Sequence, residues 1–180
     1  MRISDRRRLL SLYVDEGRRR AGRAISRGMS VVLPSAGRRI SKIVVAPTDL
    51  RAIDPFLADE FLAGRFPLAG RVLSTEGQSP FSLELPSHPF AVRLHGFGWL
   101  RHIRANKSSE ACENARRIVG QWIAVHGNKI TGIAWEPEVA ARRLISWLSH
   151  SPVVLRDAEA GFYRRFTQAI AFHVGVLERQ

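Results

Sequence analysis

Residues 108–128, SSEACENARRIVGQWIAVHGN, read as an amphipathic helix from end to end. Ser108 or Ser109 offers a capping hydroxyl, and Glu110 stands in the first turn, where the helix dipole favours negative charge. Ala111, Ala115, Ile118, Val119 and Trp122 recur at helical spacing and line one face. Gly127-Asn128 supplies the stop.

The helical texture continues on both sides. Downstream, a helix starts at Pro137 between Glu136 and Glu138 and stops at Ser151-Pro152. Another runs from about Asp157, with Ala158, Phe162, Phe166, Ala169, Ile170, His173 and Leu177 at helical spacing. It reaches Arg179 without a stop signal, as expected of a truncated chain. Upstream, Pro89 to Arg104 carries Phe90, Leu94 and Phe97 on one face and Val92, Trp99 and Ile103 on others. That pattern predicts one largely buried helix. Successive helices with short connections make antiparallel helical hairpins. No 34-residue self-similarity marks a solenoid of the common repeat families.

Residues 43–87 are different, being punctuated by prolines and glycines. Ile43 to Ala46 is a candidate strand, as is Val31 to Leu33 before it, and Phe81, Leu83 and Leu85 alternate with polar residues as a half-buried strand would. Asp54-Pro55 starts a short helix that runs through Ala63, with Pro55 at its first position. The residues alone thus predict a mainly all-α chain with a small irregular or β-containing front section.

Charge is unevenly placed. The 180 residues hold 28 Lys+Arg and 16 Asp+Glu, a net +12. Residues 1–42 hold twelve of the cations and three of the acids, a net +9. The clusters Arg6-Arg7-Arg8 and Arg18-Arg19-Arg20 interleave with Leu10, Val14, Gly17, Ala21 and Ala24 at helical spacing, a basic amphipathic arm ending near Gly28. Such an arm suits nucleic acid or an anionic membrane surface. The plainer reading, and the favoured one, is a solvated helix whose arginine stems cover the main domain. The chain divides into this arm (1–42), the irregular section with short strands (43–87) and a helical segment (88–180).

Several functions are excluded or left without support. A 45% hydrophobic content gives a core rather than a disordered chain. The single cysteine, Cys112, rules out an internal disulfide framework and a multi-cysteine zinc site. There is no phosphate loop, nucleophile elbow, HExxH or dinucleotide fingerprint. His95 and His102, seven apart, share a helix face in this reading, but a third metal ligand would have to come from elsewhere. They are read as structural or surface residues, and no metal or cofactor is expected. No membrane span or signal peptide is present, so the cytoplasm is the default location.

The stretch that speaks to function is Trp135-Glu136-Pro137-Glu138-Val139-Ala140-Ala141-Arg142-Arg143-Leu144-Ile145-Ser146-Trp147. Arg143 and Trp147 stand at i and i+4, where a guanidinium and an indole can stack. Exposed, they form an aromatic wall beside a fixed positive charge, fit for a sugar ring and a uronic carboxylate. Buried, both tryptophans are core and Arg143 pairs with an acid such as Glu136.

This stretch resembles the N-terminal domain of heparinase II/III-like proteins. The matching pattern is Trp135-x-Pro137, an arginine six residues after the proline (Arg143) and a tryptophan four further on (Trp147). Leu94-His95-Gly96-Phe97-Gly98-Trp99-Leu100 is similar to that family's Leu-His-x-Phe-x-Trp-Leu helix, and the likeness covers roughly Ala46 to the end. Glu138 stands where the family often has tyrosine, and Ser146 where it often has asparagine. The resemblance implies a toroid of paired helices, here partial, followed by a β-sandwich region. It also implies polysaccharide lyases that cleave uronic-acid-containing glycans by β-elimination.

That reaction needs the C5 carboxylate neutralised, a base for the C5 proton and an acid for the leaving oxygen. By the resemblance these come from asparagine, tyrosine and histidine residues of later segments, and none is matched here. No catalytic residue is therefore expected. The expected groove residues are Trp135, Arg143 and Trp147, with His95 and Trp99 behind them. The implied partners are an acidic, uronic-acid-containing polysaccharide and a missing C-terminal segment of the same protein. A periplasmic location becomes the alternative to the cytoplasm. The competing reading is a small basic binding module acting through its arm.

Overall fold

The computed structural model describes residues 40, 42–104, 106 and 108–179. The helix expected in the basic arm and the strand expected at Val31 to Leu33 lie outside them. Seven α-helices and one two-stranded sheet occur among the described residues, so the chain is mainly helical.

Helix α1, Pro55–Leu62, starts as its sequence predicts: the Asp54 carboxylate accepts the Phe56 N–H at 3.0 Å and Pro55 takes the first position. A hairpin follows, β1 Arg65–Leu68 and β2 Arg71–Ser74, antiparallel with Phe66 opposite Leu73 and Leu68 opposite Arg71. Ala69 (φ 51°) and Gly70 (φ 72°) make its two-residue turn, both left-handed as the strand twist requires. Gly64, at φ 78°, precedes it, and a Cβ there would lie 2.7 Å from Thr75 Oγ1.

Two expected strands are not found. Ile43 to Ala46 is irregular, with Val44 and Val45 exposed, and no neighbouring strand among the described residues supplies a ladder. Residues 81–85 are turn, bend and irregular backbone, although Phe81 is buried and Leu83 and Leu85 half-buried between exposed neighbours. Their alternation records burial, which a strand needs, but not the backbone pairing it also needs.

The single helix expected from Pro89 to Arg104 is two. Helix α2, His88–Gly96, is capped by Ser87; it ends at Phe97, whose φ of 56° is left-handed. Helix α3, Leu100–Ile103, resumes after Gly98 and Trp99. The break turns Phe97 and Trp99 into the core. Leu94 O accepts both the Phe97 N–H (3.3 Å) and the Trp99 Nε1–H (3.1 Å).

Helix α4, Ser109–His126, has Ser108 as its cap, accepting the Ala111 N–H at 3.1 Å, and buries the face read from sequence together with Cys112. A cap of this kind contributes about 1 kcal/mol. After a 3₁₀ turn at Ile133–Trp135 come α5, Pro137–Ser149, α6, Ser151–Val154, and α7, Ala160–Leu177. Ser151-Pro152 therefore ends one helix but also opens a short one, because proline's missing N–H is harmless in a first turn. Packing brings α2 onto α5, α5 onto α7, α1 onto α3 and α4 onto α6.

Candidate functional site

Four of the five residues expected to form a groove, Trp135, Arg143, Trp147 and His95, come together, but inside the protein; Trp99 stands apart from them, packed on Phe61, Phe66 and Phe97. Trp135, Trp147, His95 and Trp99 are buried, and Arg143 is wholly so, at 0% exposure. Among the described residues Arg143 has no carboxylate partner, and Glu136 is not bonded to it. Its Nε donates to His173 Nε2 at 2.8 Å, and its Nη1 donates to Ala134 O at 2.7 Å and His95 O at 3.1 Å. The guanidinium carbon lies 3.8 Å from the Trp122 ring centre, 5.1 Å from Trp135 and 5.9 Å from Trp147. The i,i+4 indole is thus the most distant of three, and Trp122 of α4 carries the main stack. Burial pulls the guanidinium down to about 9, so it stays charged at neutral pH.

The histidines are bound into this centre as neutral rings. His173 Nδ1–H donates to Ala169 O at 2.6 Å, which leaves Nε2 free to accept from Arg143. His95 Nδ1 accepts the Trp122 Nε1–H at 3.1 Å. Burial pushes both rings down to about 3, with His126 and then the charge of Arg143 adding to it at His95, and Arg143 at His173. His102 parts from His95 at the Phe97 break, so the two share no helix face; its Nδ1 accepts the Asp54 N–H at 3.0 Å and fixes the start of α1. His150, also buried, has Nε2 3.3 Å from Asp49 Oδ2. Burial lowers it to about 4, against the pull of Asp49. No group of three metal-ligating side chains occurs among the described residues.

An open cavity of about 680 Å³ lies beside this core. Its walls are the 47–51 segment, α1, the α2–α3 corner and the face of α5 that carries Arg142, Ile145, Ser146 and Ser149. Arg51, Arg93, Arg101 and Arg142 all border it. Ser146, where the family resemblance would place an asparagine, lines it as a buried residue. Asp49 is clamped by Arg51, with Arg51 Nη2 2.6 Å from Oδ2 and Nε donating to Oδ1 at 2.9 Å. That bond holds the Asp49 carboxyl well below the usual carboxylate range. Arg101 is pulled down, first by burial and then by the charge of Arg51. The sequence reading missed this site because its arginines come from three separate segments and form no local motif.

No family model matches the chain, and no solved structure does. The protein named FtsZ-localized protein C, from Caulobacter vibrioides (strain NA1000 / CB15N), is 35% identical over 100 residues, 54% of this chain. The match spans only 17% of that relative's length. It is a likeness to one segment. No helix among the described residues is long and apolar enough to cross a membrane.

Proposed function

We propose that the chain is the N-terminal helical part of a heparinase II/III-like polysaccharide lyase, contributing to a groove for uronic-acid-containing glycans and inactive by itself. One observation supports this reading above the others. The Arg143 guanidinium bonds His95 O, in the first stretch that carries the family resemblance, and Ala134 O, beside the second. The two stretches thus act as one unit. In this reading Trp135, Arg143, Trp147, His95 and Trp99 brace the groove from behind, holding α2 against α5. The helix pairs would be the opening turns of the toroid.

The catalytic groups would lie in sequence beyond this chain. Tyr163 is engaged elsewhere, its hydroxyl accepting the Ile43 N–H at 3.2 Å. The isolated chain is therefore expected to release no unsaturated uronate from a panel of acidic glycans, followed by product absorbance. Clear turnover abolished by Tyr163→Phe would overturn the assignment. The reading of the gene past the codon for Gln180 is the sharper test. An open frame running into an Asn-His segment and strand-rich sequence supports the lyase, and an immediate stop with no remnant argues against it.

The partial match favours a second reading, that the chain belongs to a protein placed with FtsZ, as that relative's name states of it. A fluorescent fusion imaged together with FtsZ in living cells decides it, and diffuse fluorescence would remove it.

A further inference from the structure

We propose that the arginine-bordered cavity is a docking site for an acidic peptide of a partner protein, one whose carboxylates alternate with aliphatic side chains. This does not rest on the lyase reading. Charge points to the occupant first. Among the described residues four arginines border the cavity, and the one acid lining it, Asp49, is already clamped by Arg51. Arg101 directs Nε to Ala52 O and Nη1 to Gly98 O and forms no ion pair among the described residues, the Asp49 charge reaching it only at a distance. Arg93 is exposed, with no ion-pair partner among the described residues. Arg142 pairs with Glu138, which lies outside the cavity lining, and both side chains are exposed. An exposed i,i+4 pair of this kind is weak and gives way readily to a better-placed carboxylate. The first 42 residues of the chain, at net +9, have the wrong sign to fill the site.

The apolar half of the cavity decides between acidic partners. Leu50 (92% exposed) and Ile145 (60%) stand at its mouth, and Leu57, Val92 and Pro67 line it. These are aliphatic surfaces. The two indole or phenyl rings in the wall, Trp99 (3%) and Phe61 (1%), are covered and offer no flat face to a sugar ring or a base. Stacking on such faces is how unpaired bases are held, and sugars use them similarly. Leucine or valine side chains between carboxylates satisfy both halves at once, the carboxylates meeting arginine forks and the side chains leaving water. The volume, about 680 Å³, is that of a cleft for a few side chains rather than a flat interface.

The experiment is fluorescence anisotropy on the full chain with a labelled peptide of alternating glutamate and leucine. An oligoglutamate of equal charge is measured in parallel, and an oligogalacturonate is used as competitor. The Glu/Leu peptide is expected to bind more tightly than oligoglutamate. Its affinity should fall at least tenfold in Arg93→Ala/Arg142→Ala, whose side chains are exposed and whose loss leaves the fold intact by circular dichroism. Leu50→Asp/Ile145→Asp should lose the peptide while retaining whatever oligoglutamate binding exists. Unchanged peptide affinity in the arginine double variant would overturn the proposal in favour of the basic arm. Displacement by oligogalacturonate at lower concentration than by unlabelled peptide would overturn it in favour of a glycan. That last outcome would leave the lyase reading standing, whereas turnover or its absence has no bearing on the peptide.

Discussion

Arg143→Ala is expected to destabilise the protein by about 3 to 5 kcal/mol, a large part of the margin of an ordinary domain. Truncation removes a guanidinium stacked on Trp122 and opens a void among three indoles. It also strands two buried carbonyls, Ala134 O and His95 O, and the Nε2 acceptor of His173. Buried acceptors without donors cost about 1 to 3 kcal/mol each before any relaxation. Urea unfolding at neutral pH measures the loss directly. Arg143→Met should lose less than Arg143→Ala, because it fills part of the void and removes a buried charge that has no carboxylate. A loss under about 1 kcal/mol for Arg143→Ala would mean that the residue stands in solvent, as an open sugar wall requires.

Acid should begin to destabilise the chain before its carboxylates titrate. His95 and His173 are held at about 3 in the folded protein and His150 at about 4, against 6.5 for an ordinary histidine. A histidine whose folded value is depressed is neutral in the fold and takes up its proton on unfolding. Its contribution is complete above pH 6.5 and is lost as the pH falls towards the folded value. At pH 4.5 each of the three forfeits about 2 to 3 kcal/mol relative to pH 7, at about 1.4 kcal/mol per unit. Asp49 acts at lower pH still: the contribution of its depressed carboxyl is complete above its unfolded value and is lost progressively as the pH falls towards the folded one. Thermal unfolding followed from pH 7 to pH 4.5 should show a steep fall in Tm. A flat profile over that interval would contradict the buried neutral rings.

Helix starts were the most legible feature because each is a local device. Ser108, Asp54-Pro55 and Pro137 act within a turn of themselves, and the structure uses all three at helix starts. The break at Phe97 was not legible. A left-handed phenylalanine is locally unfavourable, and it persists because the core receives two large rings in return. The hairpin was hidden for a related reason: Pro67 argues against a strand in general but is harmless in a two-stranded ladder, where each strand has a free edge. At the site, spacing paired Arg143 with Trp147, its neighbour along the helix. Its closest stack is instead Trp122, twenty-one residues earlier on another helix. The cavity lies further still from local reading, since no window of sequence contains Arg51, Arg93 and Arg142 together.

The crowding of indoles around one guanidinium also has an optical consequence. Trp122 lies 5.3 Å from Trp147 and 5.7 Å from Trp135, with His173 touching all three. Chromophores this close exchange excitation, so three of the four tryptophans emit as a coupled group rather than as separate lamps. Their near-ultraviolet dichroism carries the signature of fixed mutual orientation, and the adjacent imidazole quenches them once it gains a proton. The molecule thus contains its own label, placed at the junction of α4, α5 and α7, and needs no added dye to report when that junction loosens.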